Sequence, residues 1–250
     1  MAAVVTDVVQ RNRFGFEIHL SHVCDPVWLG EARQFRVIKE PFYVLDLAGG
    51  FEEVWREKFR SSVRTSVRKA ERSALDVEID RSGRLLEVFY DIYVKSIERW
   101  SVTMHEPLWF AKWHVMRATP LSMLVTVAKH FGENCTTWLL RSKGDPVAAI
   151  IVLRTGSRVY GWRAAMDKPL AAPLHAMEYL QWLVIEAACR DGCRFYDLGV
   201  ANPESGLANF KKKFGATLHF SYYLQAERVP IQRTIGRSKN LARKTINRLR

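Results

Sequence analysis

Four cysteines in 250 residues are too few for a disulfide framework, and their scarcity points to a reducing compartment. No apolar run approaches the ~20 residues that a membrane-spanning helix needs. Residues 1–12 lack a basic start followed by an apolar block, so no secretory leader is expected. Also missing are the glycine-rich dinucleotide loop, the Walker phosphate loop, the GxSxG elbow and the HExxH zinc helix. These absences argue against the common nucleotide-dependent enzymes, serine hydrolases and zinc proteases. His19, His22, Cys24 and Asp25 cluster briefly, but no second Cys/His group completes four ligands, so no metal is expected. Cys189 and Cys193, with no histidine beside them, read as small buried residues.

What is present is a core and a concentrated charge. Hydrophobic residues make up 48% of the chain, with thirteen Phe and eight Trp, enough for one large domain with additions at its ends. The net charge of +12 sits in two places. Residues 56–72 carry seven basic side chains against two acids, and residues 228–250 carry eight with no acid. The rest of the chain is close to neutral. Such localised charge suits a polyanionic partner, either nucleic acid, an anionic membrane surface or a phosphorylated ligand.

The periodicity predicts a mixed α/β order. Strands are expected at 14–20, 41–47, 76–80, 135–141, 146–154, 158–165, 194–200 and 219–226. Helices are expected at 26–35, from Phe51 to Ala74, and at 85–100, 108–118, 174–191 and 207–214. In the helix from Phe51, Arg56, Arg60, Arg64, Arg68 and Arg72 recur every fourth residue and form one ridge. Arginines in such a row repel one another unless anions sit between them, so Arg64, Arg68 and Lys69 are candidate anion contacts. A second candidate lies after the strand ending at Gly199. There Ser205, Gly206 and Leu207 open a short helix whose first N–H groups are free, and Lys211, Lys212 and Lys213 follow at once.

Asp197-Leu198-Gly199, then Gly206-Leu207, Phe210-Lys211 and Phe214-Gly215-Ala216, resemble the closing signature of FemAB-type and related GNAT-like acyltransferases. Arg64 to Ala70 resembles the basic helix that opens that module. Gly144 to Ala149 and Tyr160 to Ala165 are similar to its central strands. The resemblance implies a GNAT-like mixed sheet flanked by helices over 41–227, after an N-terminal segment 1–40 and before a basic helical tail 228–250. It implies transfer of an acyl or aminoacyl group from acyl-CoA or aminoacyl-tRNA, with no tightly bound cofactor, to an amine of a small molecule or cell-wall precursor. Lys211 would then face the donor phosphate or the oxyanion, and Phe210 would pack on the donor. Trp162, Arg163, Tyr196 and Tyr222 fall on the acceptor side. His175, Glu178, Asp197 and Tyr222 are the candidate bases.

Two departures shape the expectation. There is room for one module where bridge-building FemAB enzymes carry two. The glycine-rich pyrophosphate loop of CoA-using GNAT enzymes is missing, which tips the donor narrowly toward aminoacyl-tRNA. The expected location is cytoplasmic, with the tail able to reach an anionic inner membrane face. Alternatives are an acyl-CoA-dependent N-acetyltransferase or a non-catalytic nucleic-acid or membrane-binding module on the same scaffold.

Overall fold

The computed structural model describes residues 15–20 and 36–227. The helix expected at 26–35 and the tail 228–250 lie outside the described residues. The chain divides into two compact units, residues 1–41 with 219–250, and residues 42–218.

In the first unit, β1 (Gly15–Leu20) runs antiparallel to the end of β8 (Thr217–Glu227). Gly15 lies opposite Glu227 and Leu20 opposite Tyr222. The start of β2 (Arg36–Asp46) belongs here too, where the Lys39 ammonium sits 3.8 Å from the centre of the Phe220 ring.

The second unit is a mixed sheet in the order β2-β7-β6-β5-β4-β3. Its strands are β3 (Asp76–Asp80), β4 (Cys135–Ser142), β5 (Asp145–Thr155), β6 (Arg158–Met166) and β7 (Phe195–Val200). All neighbours run antiparallel except β6 and β7. Strand β5 is buried without interruption from Val147 to Leu153, because helices cover both faces of the sheet. One face is packed by α1 (Gly50–Glu53), α2 (Ser61–Glu71), α7 (Ala176–Arg190) and α8 (Gly206–Lys213). Tyr43, Phe59, Val67, Ile150, Tyr196 and Phe214 form its centre. The other face carries α3 (Leu86–Met104), α4 (Leu108–Ala118) and α5 (Leu121–Phe131) over Phe89, Ile97, Leu124, Leu139 and Ile151. A short α6 (Lys168–Ala171) links β6 to α7.

Two elements differ from the periodic reading. The helix expected from Phe51 to Ala74 is broken. After α1 the chain widens into a π turn, Val54–Lys58, and Phe59 and Arg60 are extended before α2 begins. Tertiary packing outweighs helix continuity here. Phe59 is buried against Phe214, ring centres 5.1 Å apart, and the Arg60 N–H donates to the Lys213 carbonyl at 2.8 Å. The carbonyls orphaned by the break accept from the Arg64 guanidinium, which donates to Trp55, Arg56 and Phe59. Helix α5 was not expected. Pro120 stops α4, and it also stands at the cap of α5, where a missing N–H costs nothing.

Candidate active site at the opening between β6 and β7

Strands β6 and β7 pair only over Arg158–Phe195, Val159–Tyr196 and Tyr160–Asp197. Both continue beyond this point without pairing, and the sequence of each shows why. On β6, Gly161 faces Val152 and Arg163 faces Ile151, so Trp162 is an extra residue with no partner on β5. On β7, Asp197 faces Val44 and Gly199 faces Tyr43, so Leu198 is the extra residue. A bulge increases local twist and bends its strand. Two bulges at one level, on neighbouring strands, split the parallel pair. The edge of β6 from Gly161 toward Met166 then has no strand against it, and Ala164 is exposed.

The floor of the split requires a glycine. A Cβ on Gly161 would lie 2.8 Å from the Tyr196 hydroxyl. That hydroxyl cannot retreat: Tyr196 is wholly buried and donates to Gln181 Oε1 at 2.7 Å. Burial raises its pKa strongly. Tyr196, expected on the acceptor side, is placed beneath Gly161 in the core, with its hydroxyl committed to Gln181.

Lys211 reaches the same level from α8. It is buried, and its ammonium donates at 2.8 Å to the carbonyls of both Gly199 and Val200. Burial lowers its pKa from 10.5 to about 8, against an opposing pull from Asp197. Asp197 is buried in turn and accepts the Gly199 N–H at 2.7 Å. A Cβ on Gly199 would be 3.8 Å from both the Lys211 ammonium and the Gly161 carbonyl, which shows how closely these groups meet. The Lys211 and Lys212 ammoniums also lie 5.9 Å from the centre of the Tyr43 ring, whose buried hydroxyl has no hydrogen-bond partner among the described residues. Ser205 caps α8, accepting the Ala208 N–H at 3.1 Å and leaving the Gly206 and Leu207 N–H groups at the helix start.

The free stretch of β6 runs into a cleft of about 730 Å³. Its walls include Lys95, Glu98 and Arg99 of α3, with Met166, Asp167 and Lys168. Asp167 is held by Lys95 at 3.0 Å, and burial lowers the pKa of the Arg99 guanidinium.

Residues 57–212 match the acetyltransferase (GNAT) domain family. The chain belongs to that family. It is an acyltransferase. No curated protein matches. Among solved structures, the chain is similar in fold to FemX, with a TM-score of 0.60 at 14% identity, covering 88% of this chain and 75% of that one. L-PGS from Bacillus licheniformis gives 0.55 at 14%, covering 86% and 70%. A GCN5-related N-acetyltransferase from Sphaerobacter thermophilus gives 0.51 at 11%, covering 90% and 65%.

Within this GNAT domain, the residues expected at the site are dispersed. Lys211, Asp197, Ser205, Gly206, Leu207 and Lys212 gather about the ends of β7 and α8, and Phe210 packs on Phe214 with ring centres 5.1 Å apart. Trp162 and Arg163 lie on the split edge itself. The Arg163 guanidinium stacks over the Trp162 ring at 5.0 Å, and burial lowers its pKa. Arg64, expected on the donor, is instead committed to the carbonyls of the π turn, whereas Arg68, Lys69 and Lys213 are exposed. His175 caps α7 in the left-handed conformation, φ 51, with Glu178 in the first turn. Neither lines the cleft. Tyr222 belongs to the first unit, opposite Leu20. Sequence reasoning missed Gly161, Gln181, Arg99 and Asp167. The first two depend on a buried contact across elements, and the others lie on a helix face and a turn that carried no motif. Burial pushes the thiols of Cys135 and Cys189 up to about 11, which fits small core residues rather than nucleophiles.

Proposed function

We propose that the opening between β6 and β7 receives the activated acyl end of the donor, and that the group passes to an amine held in the cleft at the end of β6. The observation that carries this is the split itself. It presents a strand edge whose backbone groups can hydrogen-bond an extended ligand, with a buried cation beside it. The neutral amine nitrogen attacks the acyl carbonyl carbon, the carbonyl oxygen becomes an oxyanion, and as the oxyanion collapses the bond to the donor oxygen or sulfur breaks, the leaving group taking the proton that the nitrogen gives up. An ammonium has three N–H donors, and Lys211 uses two on Gly199 and Val200, so one remains for the developing charge.

The favoured donor is aminoacyl-tRNA. Arg60, Arg68, Lys69 and Arg72 are exposed along α2, and the Arg60–Lys213 backbone bond joins that row to the basic end of α8. A small-molecule or cell-wall precursor amine is the acceptor. The second reading, acyl-CoA, is supported by the family's description and by the open N–H groups at the start of α8. Single-turnover reactions of the full chain with aminoacyl-tRNA and with acetyl-CoA, over a panel of amines, separate them. Consumption of aminoacyl-tRNA is expected, with Lys211→Ala slower by about 10²-fold while its circular dichroism is unchanged. Robust transfer from acetyl-CoA with no retention of tRNA at low salt would replace the donor and keep the reaction.

A further inference from the structure

Arg163 is a cation kept where charge is costly. It lies on the unpaired stretch of β6, one residue past the bulge, and it is partly buried. Its Nη1 donates to the Trp162 carbonyl at 2.9 Å, and its Cζ sits 5.0 Å from the centre of the Trp162 ring. These contacts fix the guanidinium without neutralising it. Among the described residues no carboxylate pairs with it, and the titratable group that opposes the effect of burial on its pKa is Tyr93. The two acids of the adjoining cleft are already committed, Asp167 to Lys95 at 3.0 Å and Glu98 to Lys112 at 2.8 Å. A guanidinium has five N–H donors in one plane, and Arg163 directs Nη1 at its own backbone. Nε and Nη2, the side-on fork, have no acceptor among the described residues, and neither is sealed from solvent.

We propose that the acceptor amine carries a carboxylate and that the Nε and Nη2 fork of Arg163 grips it. This deepens the acyl-transfer reading and rests on it. A partly buried charge without a counter-charge is destabilising, and an incoming anion relieves that cost. A carboxylate fits the fork in plane and spacing, with two parallel charge-assisted bonds. It also brings one negative charge to one guanidinium, whereas a phosphate dianion would leave charge unanswered. A carboxamide offers one acceptor oxygen, and its NH₂ group opposes a donor with another donor. Strand β6 sets the spacing. Gly161, at the floor of the split, lies two residues before Arg163, roughly 7 Å along a strand, and Met166 of the cleft lies three residues after it, roughly 10 Å. The carboxylate is therefore held between the opening that receives the acyl group and the cleft that takes the rest of the acceptor. An amino acid or short peptide whose reacting amine stands several bonds from its carboxylate has that shape.

Ligand-observed NMR titrations of the full chain without donor test this, using lysine, diglycine and triglycine, each beside its carboxamide, and aminoethyl phosphate. The carboxylates are expected to bind about tenfold or more tightly than their carboxamides. In Arg163→Gln that ratio should collapse toward one, and Arg163→Lys, which keeps the charge and loses the fork, should fall between. In acyl transfer to the same amines, Arg163→Gln should raise KM for the carboxylates far more than it lowers kcat. Equal binding of carboxylate and carboxamide by wild type overturns the proposal whether or not the variants fold, and so does binding of none of the carboxylates. A preference for aminoethyl phosphate, or a carboxylate preference that survives in Arg163→Gln, overturns it as well. Transfer to none of these amines, with the binding preference intact, would remove the acyl-transfer reading and leave the carboxylate site standing.

Discussion

Lys211 is an ammonium kept in a place that disfavours charge, and its pH behaviour should reveal it. The folded chain holds its proton less tightly than the unfolded chain, with pKa about 8 against 10.5. Between those values the unfolded state binds more protons, so this group makes stability rise with pH. Below about pH 8 the burial cost is fully present, and it is relieved as pH climbs toward 10.5. Thermal melts of wild type and Lys211→Met should therefore differ in slope across that window, with wild type gaining relative to the variant. If the ammonium form stabilises the oxyanion, kcat/KM should fall on the alkaline side with a midpoint near 8, a limb that Lys211→Met lacks. Gly161 makes a second prediction. Its missing side chain leaves space for a rigid, hydrogen-bonded tyrosine, so Gly161→Ala should cost about 1–3 kcal/mol in denaturant unfolding. Gly161→Ala with Tyr196→Phe should recover part of it.

The arginine row shows how an element can mislead. Its four-residue spacing was legible, and the reading of a single ridge followed from it. The break at Phe59 was not legible, because it is dictated by a phenylalanine 155 positions later in the chain. Arg64→Ala should thus lower stability by about 1–3 kcal/mol, since three carbonyls lose their donor, and leave the salt dependence of tRNA binding unchanged. Arg68→Ala should do the reverse, with stability within about 0.5 kcal/mol of wild type and a shallower salt slope. Filter-binding titrations over a salt series, beside urea melts, distinguish the two. Most strands and helices were readable, because alternation and helical spacing are local properties. So were the lysines after Ser205, because a helix start with a basic run is local too. The burial of Tyr196, the cap formed by Arg64 and the second helix after Pro120 required knowledge of what packs where.

At the scale of the molecule, pairing in the sheet slips at Val147 as well as at Trp162 and Leu198, and the last two flank the opening. Its long antiparallel ladder from β3 to β6 provides the rigidity, and two extra residues, Trp162 and Leu198, undo the next pairing. If the donor is a tRNA, several separated cations share its phosphates, and log Kd should rise linearly with log salt at a slope of several units, about 0.7–0.9 per phosphate contacted. The bulge at Trp162 also has an evolutionary reading. Because the extra residue is absorbed at one point, the pairing of β5 with β6 on either side is independent of it. A relative shorter by that one residue would keep every helix, every facing pair and much of the core, and would gain ladder bonds where this chain has none. Deleting Trp162 is expected to raise the urea midpoint and to slow acyl transfer, and unchanged turnover would separate the bulge from the reaction. Strand length at this one position is thus coupled to whether the sheet can open.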